Sequence, residues 1–222
     1  MEILPAIVPI SYIDLEEKVG LIASELDLVH IDVSDGKFTS DKNWPIVENN
    51  GEFEKIVNGK KKLPFSGAVD YEIHLMTESP ADEVADWAKI GVSRILVQIE
   101  AGSDAVMDIL KEWGHVVPIG LVANMETPVE VFESFFDKVS TIQLMSIAVI
   151  GHQGEPFNDK VLDKIKRLRL LGYKHKIVVD GGINLENAKT VIDAGADRLV
   201  VGSVIWKSDN PTGTLKKFKD LL

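Results

Sequence analysis

The chain has 222 residues, of which 45% are hydrophobic, and carries 24 basic against 35 acidic side chains for a formal net charge of −11, with no cysteine. That length suits one domain, taken here over residues 1–222, with a core large enough to need no staples; without cysteine, disulfide scaffolds, thiolate zinc sites, iron–sulfur clusters and thiol nucleophiles are excluded. The acid surplus argues against nucleic acid and anionic membranes as partners, no apolar run reaches bilayer-spanning length, and an N-terminus with Pro5 and Pro9 but no basic start lacks a signal peptide, so a cytoplasmic protein is expected.

In chain order, an apolar run over Ile3–Val8 reads as a strand, followed by a helix over Asp14–Ile22 with Leu15, Val19 and Ile22 on one stripe. A second strand covers Val29–Asp32, and the irregular stretch Asp41–Leu63 reads as a long loop with a short helix. Strand three spans Tyr71–Met76, and a helix over Pro80–Ile90 opens with proline in its first turn. Strands four and five cover Arg94–Gln98 and Val116–Val122, with no helix assigned between them. Pro128–Phe136 repeats the proline device before strand six, Thr141–Met145. A helix over Asp159–Leu171, strand seven at Lys176–Asp180, a helix over Leu185–Ala194, strand eight at Arg198–Gly202 and a helix over Asn210–Leu221 complete the chain. Gly91, Gly172 and Gly195 stand just past helix ends, where a left-handed cap suits glycine. Eight short strands, mostly apolar on both faces and alternating with helices, predict a (β/α)8 barrel, a TIM barrel of the α/β class. The other architecture with this alternation, an open doubly wound sheet, usually has fewer strands.

In such a barrel the active site lies at the C-terminal ends of the strands. His30 and Asp32 are two apart on strand two and face the same side; His74 lies near the end of strand three and Asp180 at the end of strand seven. Two imidazoles and two carboxylates at three strand mouths can converge on one divalent metal ion, with Zn, Fe(II), Mn or Co suited to that donor set. Singly, an inward histidine is as well read as a hydrogen-bonded core residue and a strand-end Asp as a helix cap. Together they favour a site, because burying two carboxylates without counter-charge is costly. A phosphate pocket is expected from Gly181 and Gly182 after strand seven and Gly202 and Ser203 after strand eight, whose backbone N–H groups a glycine leaves open to an anion. Gly151 and Gly154 after strand six are placed to close over the same group, with His152 between them an exposed loop residue or a substrate contact; Lys37 reads equally as a phosphate contact or an exposed lysine.

The motifs His30-Ile31-Asp32-Val33-Ser34-Asp35-Gly36-Lys37-Phe38, Glu72-Ile73-His74-Leu75-Met76, Gln143-Leu144-Met145-Ser146-Ile147, Val179-Asp180-Gly181-Gly182-Ile183 and Gly195 to Trp206 resemble, nearly end to end, the ribulose-phosphate 3-epimerase family. The resemblance implies a metal-dependent isomerase interconverting D-ribulose 5-phosphate and D-xylulose 5-phosphate through an enediolate. It implies His30, Asp32, His74 and Asp180 as metal ligands, Asp32 and Asp180 as the acid/base pair, and Met76 and Met145 as an apolar cap over the substrate. A small sugar phosphate is the expected partner, and a homo-oligomer the expected assembly.

Four positions depart from the family pattern. Ala6 replaces a serine, Ser34 a cap methionine and Gln98 a histidine, while the loop 148–155 keeps two glycines but carries Glu155. These changes leave open a 3-epimerase for a hexulose phosphate such as D-allulose 6-phosphate, or a non-catalytic sugar-phosphate-binding barrel; the latter predicts loss of a ligand, and all four are present. The Asp-x-Lys-x-x-Asp hallmark of related decarboxylases and aldolases is absent, since Ser34 stands two after Asp32.

Overall fold

A computed structural model describes residues 1–47, 51–151 and 153–221. Eight parallel strands close into a barrel in sequence order, with β1 pairing both β2 and β8. They are β1 (Glu2–Ile7), β2 (Leu28–Ser34), β3 (Asp70–Met76), β4 (Arg94–Gln98), β5 (Ile119–Ala123), β6 (Thr141–Met145), β7 (Lys176–Asp180) and β8 (Arg198–Val201). The helices are α1 (Tyr12–Ile22), α2 (Glu52–Val57), α3 (Ala81–Ile90), α4 (Ser103–Trp113), α5 (Val161–Leu170), α6 (Ala188–Asp193), the single turn α7 (Ser203–Trp206) and α8 (Pro211–Lys219). No helix among the described residues is long and apolar enough to cross a membrane.

The period-2 alternation of a strand sorts each into two faces. Outward residues such as Ile31, Val33, Ile73, Leu75, Val97, Leu121 and Val179 join helix residues such as Leu15, Val19, Trp87, Ile109, Ile165 and Phe218 in one large buried cluster. The inward face is more polar than strands mostly apolar on both faces would give. Small apolar groups (Leu4, Ala6, Val178 and Val200; Leu96, Val122, Met145 and Ile147) share the barrel interior with buried His30, Glu72, His74, Gln98, Gln143, Asp180 and Arg198.

Three local readings change. α4 occupies the segment left unassigned, and its buried stripe of Val106 and Ile109 packs on the barrel. The Val116–Val122 run starts pairing only at Ile119, because the amides of Val116 and Val117 both donate to Trp113 O in the turn that closes α4. Pro128–Phe136 is a tighter 3₁₀ helix over Val129–Phe135; its buried residues Val129, Phe132 and Phe135 recur every three positions, which suits three residues per turn.

Candidate active site

Strand register brings the four predicted donors together. Asp32 pairs directly with His74 across β2 and β3, His30 lies one inward step below Asp32, and Asp180 closes β7 opposite Met145 of β6. One donor atom from each of His30, Asp32, His74 and Asp180 lies within 4.8 Å of every other, and all four residues are buried. Asp32 Oδ1 lies 3.2 Å from His30 Nε2 and 2.9 Å from His74 Nδ1; Asp180 Oδ2 lies 4.0 Å and 3.9 Å from the same two nitrogens. These separations bracket the ~3.4 Å edge of a tetrahedron of N and O donors about 2.1 Å from an ion.

Hydrogen-bond partners orient both rings toward the cluster. Burial opposes charging of His30, but Asp32 and Glu72 outweigh it and, without an ion, push that ring up to about 10, so an ion would take the place of its Nε2 proton. His30 Nδ1 faces Glu72 Oε1 at 2.9 Å, which leaves Nε2 for an ion. His74 Nε2 lies 2.8 Å from the Gln98 carboxamide, whose Oε1 has no other partner. With that amide turned so that Oε1 accepts the Nε2–H, the Nδ1 lone pair points at the cluster. Burial keeps the His74 ring neutral, against the pull of Asp32, and a neutral imidazole is the ligating form.

The two acids are pushed apart. Without an ion, burial opposes ionisation of Asp32, but hydrogen bonds from His30 Nε2 and His74 Nδ1, whose protons an ion would displace, together with the adjacent positive charge outweigh it and hold the carboxyl well below its ordinary value. Asp180 is compensated too little: burial and then the nearby charge of Asp32 raise it, and His30 only partly offsets them. Gln143 donates to Asp180 Oδ2 at 2.9 Å and so fixes the carboxyl in place. One carboxylate held ionised beside one held protonated is the arrangement of an acid/base pair.

Above the cluster a solvent-open cavity is lined by Asp32 and Asp180, and also by Met76, Met145, Gly151, Gly154, Gly181, Gly182, Gly202 and Ser203, all at positions named from the sequence. Ala6 and Glu155 line it as well. Lys37 is exposed and outside this lining, and His152 falls outside the described residues. The sequence reading missed Glu72, Gln143 and Gln153 and took Gln98 only as a departure. Gln153 Nε2 donates to Ala6 O at 3.1 Å and packs on Gly202.

Residues 2–206 match the profile of the Ribulose-phosphate 3 epimerase family. The chain belongs to the ribulose-phosphate 3-epimerase family. Within it, the chain is 35% identical to the Bacillus subtilis ribulose-phosphate 3-epimerase over 81% of this chain and 80% of that protein. It is 32% identical to the one from Buchnera aphidicola, over 93% and 89% respectively. Among solved structures, a 3-hexulose-6-phosphate synthase superposes over the full length of both chains with a TM-score of 0.74 at 18% identity, a likeness of fold alone. Its family's fold is therefore shared with synthases, while the epimerase motifs set this chain apart from them.

Two glycines of the cavity separate folding from binding. Gly182 has φ +66°, and a Cβ there would lie 2.5 Å from Phe157 N and 2.7 Å from its Cα, both backbone atoms that cannot give way. Gly202→Ala meets only the end of the Gln153 side chain, 2.5 Å from Nε2, which can turn aside. Gly182→Ala is therefore expected to cost about 2 kcal/mol or more of stability, read as a lowered Tm. Gly202→Ala is expected to melt near the parent and to raise KM for a phosphorylated substrate; equal melting of the two variants contradicts this reading.

Proposed function

We propose that this chain epimerises a ketose phosphate at C3, interconverting D-ribulose 5-phosphate and D-xylulose 5-phosphate. The observation that carries the proposal is the buried cluster of His30, Asp32, His74 and Asp180, with all donor atoms within 4.8 Å, in a chain of the epimerase family. His30 Nε2, His74 Nδ1 and one oxygen each of Asp32 and Asp180 would hold a divalent ion. Such an ion supplies Lewis-acid stabilisation of the negative charge that builds on the sugar's C2 oxygen when the C3 proton leaves.

The chain's own residues do the rest. In one direction Asp32, held ionised, takes the C3 proton from one face while Asp180 delivers its proton to the other, inverting the carbon; in the reverse direction the roles exchange. Gln143 holds Asp180 for that transfer. Met76 and Met145 supply an apolar cover that keeps bulk water from protonating the enediolate indiscriminately. Backbone N–H groups around Gly181, Gly182, Gly202 and Ser203 receive the phosphate, with Gly151 and Gly154 on the facing loop.

One observation favours a second reading, a hexulose phosphate such as D-allulose 6-phosphate. Ser34, paired with Met76 at the top of the barrel, is fully buried and its Oγ has no hydrogen-bond partner. Its hydroxyl, beneath the residues that line the cavity, is unpaired and could meet an additional substrate oxygen. The test is product formation from ribulose 5-phosphate and allulose 6-phosphate side by side at equal enzyme. A kcat/KM at least tenfold higher for the pentulose is expected; the reverse order assigns the hexulose, and no product from either removes the epimerase reading.

A further inference from the structure

Below the proposed metal cluster, the barrel interior holds a second polar layer. Glu72 is fully buried, and its two oxygens have separate tasks. Oε1 faces His30 Nδ1 at 2.9 Å. Oε2 accepts from Arg94 Nη1 at 2.6 Å and from Arg198 Nη1 at 2.8 Å. Arg198 is itself anchored on Glu2, with Nε 2.7 Å from Oε2. Two guanidinium groups thus face the buried Glu72 carboxylate, while Glu2, half exposed, is shared by Arg198 and Lys176. The paired guanidinium charge is how Glu72 can stay ionised where water does not reach.

We propose that Glu72, clamped by Arg94 and Arg198, is a positioning residue for the metal centre: it fixes the proton of His30 on Nδ1, so that Nε2 offers its lone pair to the ion. The inference rests on the reading of the four-residue cluster as a metal site. Its physical basis is the fixed polarity of the clamp. Guanidinium donates and never accepts, so Oε2 is committed to the arginines and Oε1 can only accept, which demands an N–H on the ring. A carboxylate behind a ligating imidazole also makes that ligand more basic, and such partners are worth about 10- to 100-fold in metal affinity.

Glu72→Gln tests this without a large change in volume. The arginines would capture the amide oxygen, the NH2 would face His30 Nδ1, and the ring would move its proton to Nε2, where it points at the ion. Co(II) added to the metal-stripped protein, followed by visible d–d absorption, measures affinity directly; histidine ¹⁵N shifts report which ring nitrogen carries hydrogen. The expected result for Glu72→Gln is a 10- to 100-fold weaker Co(II) affinity with Nδ1 unprotonated. Glu72→Asp, which keeps the acceptor but withdraws it by one methylene, should bind between the two. Should Glu72→Gln fail to fold, Arg94→Met is read instead, with Arg198 still in place to hold Oε2 and a several-fold weaker affinity expected. Folded variants with parental Co(II) affinity and parental ¹⁵N shifts overturn the inference. A parent that binds no Co(II) overturns the metal reading beneath it as well.

Discussion

Asp180→Asn is expected to lower kcat by about 10³-fold or more in a protein that still folds. A positioned acid/base contributes about 10²- to 10⁴-fold, and this residue also completes the proposed metal donor set, so the loss falls in the upper part of that range. The fold should survive because Asn is nearly isosteric and the ion pairs of Asp180 are long, 4.0 Å to His30 and 3.9 Å to His74; its side-chain hydrogen bond from Gln143 can be remade by turning either amide. Burial and the charge of Asp32 already disfavour the ionised form, so a neutral side chain at this position relieves repulsion rather than creating it. Turnover and thermal melting measured on the same preparation separate the two effects. A folded Asp180→Asn variant within tenfold of the parent would reject the paired-acid mechanism.

The second large effect is expected from metal removal. The C3 hydrogen of a ketose is too weakly acidic for a carboxylate unaided, and Lewis-acid stabilisation of the developing charge is worth several kcal/mol, which is at least about two decades in rate. Exhaustive chelation should therefore leave less than about 1% of the activity, and restoring one equivalent of a divalent ion per chain should recover it. The donor set of two imidazoles and two carboxylates suits Zn, Fe(II), Mn or Co better than Mg or Ca, so Mg should recover least. Full activity after exhaustive chelation would show that these side chains work without an ion.

Much of this architecture is legible in the sequence, for reasons that can be named. Strands such as Ile177-Val178-Val179 are buried on both faces, so they stand out as short β-branched runs, and Gly91, Gly172 and Gly195 mark the helix ends with positive φ. The candidate metal donors are legible because polar residues at the mouths of buried strands need a reason to be there. α4 is not: its apolar stripe is short, and Gly102 with Ser103 resembles a loop before it resembles a helix start. Glu72 and Arg198 are hidden for a different reason. Each lies toward the N-terminal end of its strand, where a charged residue normally meets solvent, and only barrel closure brings residues 126 positions apart within 2.8 Å. Gln98 and Gln143 likewise acquire meaning only from what faces them across the barrel, His74 and Asp180.

The most direct measurement is hydrogen exchange at C3 of D-ribulose 5-phosphate in D₂O, followed by NMR. With an ion supplied, the protein should place deuterium at C3 of both epimers at a rate tied to epimerisation, and Asp180→Asn or chelation should stop it. Epimer formation without solvent deuterium at C3, or no exchange at any metal loading, would contradict proton transfer between Asp32 and Asp180.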